Sequence, residues 1–257
     1  MTPTIAELRA VTQPESIFAR NSGEHWAGRL YVRRASPYLT RLLLRTRISP
    51  NGVTWLMILA GLAAAAVLSV PGVATAVAAV ALIQLQILLD CSDGELARWQ
   101  QRFSPAGIYL DRFGHWLTEA ALPIALGVRA DGGWDELGTY TALGLLVAVL
   151  VLLVKGESAL VTVARAEAGL PPAADTQAVA APRARGLRRL RRGLGYVPFF
   201  RAFVAIEATM LALAAAIADA AAGDHTGSRV LVIALVALAA ITAAGRLVAI
   251  LTSDRLR

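Results

Sequence analysis

The sequence predicts an all-α membrane protein, with six transmembrane helices preceded by an amphipathic helix lying in the membrane interface. Three observations carry this reading. Of the 257 residues, 56% are hydrophobic, and the mean hydropathy is +0.57, more than a soluble core of this size needs. The apolar residues are gathered in blocks of about twenty, the length that crosses a bilayer as a helix. The net charge of +7 is almost wholly arginine, and the arginines fall in alternate connections between the blocks, as in chains oriented by a cytoplasmic excess of basic residues.

Residues 1–23 mix polar and apolar types without a clear period and read as a loose tail. From Glu24 to Arg47, Trp26, Leu30, Tyr38, Leu42 and Leu43 are interleaved with Arg29, Arg33, Arg34, Arg41, Arg45 and Arg47. That is the pattern of a helix in the head-group region, with arginines reaching lipid phosphates. Pro37 is expected to bend or divide it. Residues 1–48 therefore form a cytoplasmic tail and juxtamembrane helix, and residues 49–257 a six-helix membrane domain.

Ser49-Pro50-Asn51 supplies a cap and first turn for a span from Val53 to Val70. Pro71-Gly72 turns the chain into a second span, Val73 to Leu89, where Gln84 and Gln86 are expected to face other helices. Ser104-Pro105 opens a third span to about Val128. The fourth runs from Leu137 to about Val163, the fifth from Ala202 to Ala222, and the sixth from Val230 to Leu251. Residues 170–197 read as a proline- and alanine-rich half followed by a basic half on the membrane surface.

The connections at 71–72, 129–136 and 223–229 carry only Arg129 and Arg229, beside Asp131, Asp135, Glu136 and Asp224. This places both termini on the cytoplasmic side of the cell membrane. The basic balance then serves topology and contact with anionic lipid, and no nucleic-acid partner is expected. Cys91, the only cysteine, excludes an internal disulfide and a cysteine-based zinc site and reads as a small packing residue. No cleavable signal peptide is expected, because the first fifty residues are polar and basic.

The stretch Asp90 to His115, DCSDGELARWQQRFSPAGIYLDRFGH, stands out between the second and third spans. Ionised groups beside hydrocarbon are costly and seldom lack a task. Asp90 and Asp93 are three apart, and Asp111 and His115 four apart, so each pair shares a helix face. Two such faces turned together would make a ring of oxygen ligands and one imidazole, suited to divalent cations and a diphosphate. Glu95 and Arg102 are expected to face interfacial water.

The line Asp90-x2-Asp93-Gly94-x2-Ala97-Arg98-x8-Gly107-x3-Asp111-x3-His115 resembles the signature of the CDP-alcohol phosphotransferases, integral membrane enzymes of phospholipid synthesis. Pro50-Asn51 is similar to the opening of the first membrane helix in that family, and the resemblance covers roughly residues 48–170. It implies transfer of a phosphatidyl or other phosphoalcohol group from a CDP-linked lipid, such as CDP-diacylglycerol, to a small hydroxyl acceptor with release of CMP. It implies that Asp90, Asp93 and Asp111 bind two Mg²⁺ or Mn²⁺ ions and the CDP diphosphate, and that the protein is a homodimer. Gly94, Ala97, Arg98 and Gly107 complete the implied nucleotide site. The small residues let the nucleotide approach, and Arg98 neutralises the diphosphate or holds the aspartates.

The family usually ends this line on a fourth aspartate, whose implied role is general base, and here His115 stands in its place. An imidazole titrates near neutrality and is a competent base, so His115 and Asp111 are the catalytic candidates. It is a poorer Mg²⁺ ligand, which favours Mn²⁺ or the loss of one ion. Ala164-Arg165-Ala166-Glu167-Ala168 is loosely similar to a run in the inositol-phosphate-using branch. Lys155, Arg165 and Arg201 could therefore bind an anionic acceptor, with snorkelling at helix ends as the alternative. The acceptor could equally be glycerol phosphate, serine or another alcohol.

Two other readings remain open: an inactive homologue that binds CDP-lipid, and a transporter using the acidic cluster as a cation path. The charges gather at one membrane face and no internal repeat stands out, which is unlike a conduction route.

Overall fold

The computed structural model describes residues 3–14, 26–172 and 199–256. These form helices and turns, with no strand among the described residues, and five of the helices are long and apolar enough to cross a membrane. The chain is an all-α membrane protein. The basic stretch expected at 170–197 lies almost wholly outside the described residues.

Two compact units divide the chain, Met1–Ala64 with Ala78–Thr118, and Ala65–Val77 with Glu119–Arg257. In the first, the loose tail expected at the N-terminus is replaced in part by a helix, α1 (Ile5–Thr12), closed by a capping box: Glu7 N donates to Thr4 Oγ1, and the Glu7 carboxylate accepts from Thr4 N. Its Leu8 and Thr12 are fully buried. A π-helical turn, Gly28–Val32, leads into α2 (Arg33–Leu43). Pro37 does not divide α2. The carbonyl that a proline leaves without its helical donor, that of Arg33, accepts from Gln13 Nε2 at 2.8 Å.

α3 (Pro50–Leu68), α4 (Val73–Gln100) and α5 (Pro105–Asp131) follow. In the first unit they enclose Val53, Met57, Ile58, Ala60, Leu89 and Leu96. Close approach depends on glycine: a Cβ at Gly114 would come within 2.5 Å of Met57 Cε, and one at Gly61 within 2.1 Å of Thr118 Oγ1. Thr118 accepts from Gln86 Nε2 at 3.0 Å, and Gln86 is buried, so its amide faces other helices as expected. α5 has a span's length, but Asp111, Arg112, His115 and Glu119 dilute its apolar character, and it is not among the five.

The second unit holds the remainder of these helices with α6 (Thr139–Glu167), α7 (Ala205–Ala222) and α8 (Thr226–Thr252). Here α5 and α6 touch backbone to backbone, since a Cβ at Gly127 or Gly144 would lie 2.4 Å from the carbonyl oxygen of Tyr140 or Pro123. Arg129 is buried and donates to the carbonyls of Val70 (2.9 Å) and Gly72 (2.8 Å), gathering the turn after α3. Asp219 of α7 accepts from Ser228 N and Oγ, tying α7 to α8. Gly223 at φ 75° makes the left-handed turn that ends α7.

Candidate functional site

α4 does not stop at Leu89. It runs on for about three turns, carrying Asp90, Asp93, Gly94, Ala97 and Arg98 in helical register. It ends where Gln101 takes a left-handed conformation (φ 52°) and Arg102 N donates to Ala97 O at 3.0 Å. α5 begins at once, capped by Ser104, whose Oγ accepts from Gly107 N at 3.0 Å. A link of only four residues thus sets the two motif-bearing helices side by side.

Ligand atoms of Asp90, Asp111 and His115 all lie within 4.8 Å of one another, and the three residues are part-exposed. His115 Nε2 is 3.1 Å from Asp90 Oδ1 and 3.5 Å from Asp111 Oδ1. Arg33 of α2 brings a positive charge to bear on Asp90. Two carboxylate oxygens and one imidazole nitrogen at this spacing are a donor set that fits a divalent cation such as Mn²⁺ or Mg²⁺.

Asp93 is not part of that trio. Its Oδ2 accepts from Thr54 Oγ1 of α3 at 2.6 Å. Thr54 escapes a motif search because it sits in an apolar run, and its one signal is a place a single turn inside the helix that Ser49-Pro50 opens. Gly107 lies against the same helix, since a Cβ there would meet Asn51 Oδ1 at 2.9 Å. Ala97 is half-buried, and Cys91 is buried among packed neighbours.

Glu95 corrects the sequence reading. Instead of facing water, it is fully buried and accepts from Gln13 Nε2 (2.8 Å), Ser36 Oγ and Thr40 Oγ1 (2.7 Å). Arg102 is exposed, as expected. Arg98 Nε donates to the Thr12 carbonyl at 2.6 Å.

The acceptor candidates occupy three different settings. Lys155 Nζ pairs with Glu119 Oε2 at 2.8 Å, a partner the sequence reading missed. Arg165 is buried and donates to the carbonyls of Pro171 (2.8 Å) and Arg255 (2.9 Å). Arg201 is exposed in the short 3-10 turn Phe199–Phe203.

No family model matches the chain, and no curated protein does so either.

Proposed function

We propose that this chain is a CDP-alcohol phosphotransferase: an integral membrane enzyme that moves a phosphatidyl or related phosphoalcohol group from a CDP-linked lipid to a small hydroxyl acceptor and releases CMP. The observation that carries the reading is the convergence of Asp90 from α4 with Asp111 and His115 from α5 on one small volume. Asp90 and Asp111 also hold their places in the signature that the sequence resembles, and His115 stands in place of its fourth aspartate.

In this reading α5 is a sixth span, both termini and the site are cytoplasmic, and the protein acts as a homodimer. The exposed Leu30, Tyr38 and Leu42, with Arg34 and Arg45 beside them, support an interfacial helix before α3. Asp90 and Asp111 would hold one divalent cation, Asp93, set by Thr54, would serve a second, and His115 Nε2 is left free of metal as the base. Such ions supply charge neutralisation at the diphosphate and at the leaving CMP.

The chain's own residues do the rest. The acceptor oxygen attacks the phosphorus that bears the alcohol, that bond forms as the phosphoanhydride bond to CMP breaks, and His115 Nε2 takes the acceptor proton. Asp90 and Asp111 flank that nitrogen and hold the proton it receives. Gly94, Ala97 and Gly107 keep the nucleotide path clear, and Arg98 lies along it. Lys155, Arg165 and Arg201 stand as the residues for an anionic acceptor, with Arg165 already engaged by two carbonyls.

The test is CMP release by the purified protein in nanodiscs, with CDP-diacylglycerol, Mg²⁺ or Mn²⁺, and a panel of inositol phosphate, glycerol phosphate and serine. Turnover with one acceptor that is lost in Asp93→Ala, and lost in His115→Ala but retained in part by His115→Asp, supports the reading. CDP-lipid binding without CMP release from any acceptor would make the protein a binder, and neither binding nor release would favour transport.

A further inference from the structure

Glu95 lies two residues after Asp93 and three before Arg98, within the motif but at a position the signature leaves open. An ionised carboxylate is costly to bury unless donors surround it. Glu95 has three, from Gln13, Ser36 and Thr40, which join α4 to both α1 and α2. Gln13 is the residue that closes α1, and its side chain also binds the Arg33 carbonyl at 2.8 Å. The neighbouring Thr12 carbonyl, at the negative end of α1, takes the Arg98 Nε–H at 2.6 Å.

With Nε engaged, the other two guanidinium nitrogens of Arg98 lie over Gly94, where a Cβ would come within 3.2 and 3.3 Å of them. Asp90, Gly94 and Arg98 are spaced four apart, so they form one row along α4. The row places an acidic group, a residue without a side chain, and a fixed cation in succession.

We infer that Glu95 is a positioning residue: by anchoring Gln13 it holds the end of α1 against α4, and α1 in turn fixes the Arg98 guanidinium over Gly94. The guanidinium that the resemblance assigns to the diphosphate is then held in place by the N-terminal helix before the nucleotide arrives. Fixing the guanidinium beforehand removes an ordering cost from nucleotide binding. The N-terminal helix is thereby part of the site. This inference rests on the function proposed above.

The experiment uses the full chain in phosphatidylcholine nanodiscs, with two probes: Mn²⁺ alone, read by electron paramagnetic resonance, and CDP with Mn²⁺, read by calorimetry. Glu95→Ala and Gln13→Ala are each expected to weaken CDP about ten-fold, as for loss of one hydrogen bond to a charged group, and to leave Mn²⁺ affinity within about two-fold. Arg98→Ala weakens CDP as well, and Glu95→Ala adds nothing to it in the double variant, because both act through one guanidinium. Glu95→Gln, which keeps an acceptor for Gln13, restores part of the affinity. Gln13→Ala cuts the same link outside the membrane core, should Glu95→Ala fail to fold.

The inference is overturned if Glu95→Ala or Gln13→Ala lowers thermal stability while binding CDP like the wild type, or if the effects of Glu95→Ala and Arg98→Ala simply add. Those results leave the proposed function standing. A wild-type protein that binds neither Mn²⁺ nor CDP overturns both.

Discussion

His115 Nε2 lies 3.1 Å from Asp90 Oδ1, although the two residues are 25 apart in sequence and belong to different helices. The contact exists because α4 carries its helix past Leu89 to Gln100 and α5 restarts after a link of four residues. The imidazole sits between two carboxylates, 3.1 Å from Asp90 and 3.5 Å from Asp111, that would otherwise repel each other.

Thr54 is expected to matter through Asp93 alone. Thr54→Val keeps the shape but removes the 2.6 Å donor to Oδ2. Loss of this hydrogen bond, roughly 0.5–1.5 kcal/mol, should lower CMP release by a few-fold to about ten-fold. Thr54→Ser should recover most of it, and equal rates in Thr54→Val and wild type would remove Thr54 from the site.

Arg129 is a stability residue. Arg129→Met keeps the bulk but strips the donors from the Val70 and Gly72 carbonyls, and the cost should be about 2–4 kcal/mol in detergent unfolding. Arg129→Lys, with one charged nitrogen in place of a fork, should recover part of this.

The glycines of α6 separate two effects of adding one methyl group. At Gly144 the new Cβ would meet the Pro123 carbonyl at 2.4 Å, whereas Gly156 has nothing within 4 Å. Gly144→Ala should destabilise by about 1–3 kcal/mol through overpacking against a backbone that cannot yield. Gly156→Ala should be neutral or stabilise by up to about 1 kcal/mol through helix propensity. Thermal unfolding of the two variants side by side measures the difference.

Much of this architecture is legible in the sequence, for a physical reason. Apolar blocks bounded by Ser-Pro, Pro-Gly and arginines specify membrane helices locally, and a three- and four-residue spacing specifies which acids share a face. What escapes is whatever depends on distant partners. α1 has only a capping box and two buried side chains to announce it, and the carboxylate that fixes its end lies 82 residues away. Glu95 reads as a solvated charge because its donors Gln13, Ser36 and Thr40 are neutral residues in segments that look like tail and surface helix. Thr54 is hidden in the same way, as a single polar residue in an apolar run, and Glu119 because its partner Lys155 lies on another helix.

Asp224 gives a pH signature outside the membrane helices. Hydrogen bonds from Thr226 N (2.8 Å) and Thr226 Oγ1 (2.7 Å), the backbone one foremost, hold its carboxyl below the ordinary range. A depressed folded-state pKa stabilises the fold above the unfolded value and loses that contribution as pH falls through the folded one. The wild type should therefore lose thermal stability below about pH 4 more steeply than Asp224→Asn, whose amide does not titrate. Parallel curves for the two would contradict this assignment.

The most direct measurement of the central claim is a Mn²⁺ titration of the purified protein by electron paramagnetic resonance, comparing wild type with Asp90→Asn and Asp111→Asn. A cation site built on Asp90 and Asp111 predicts saturable binding in the wild type and a loss of at least about ten-fold in affinity in each variant. Absence of binding in the wild type, or equal affinity in all three proteins, would contradict it.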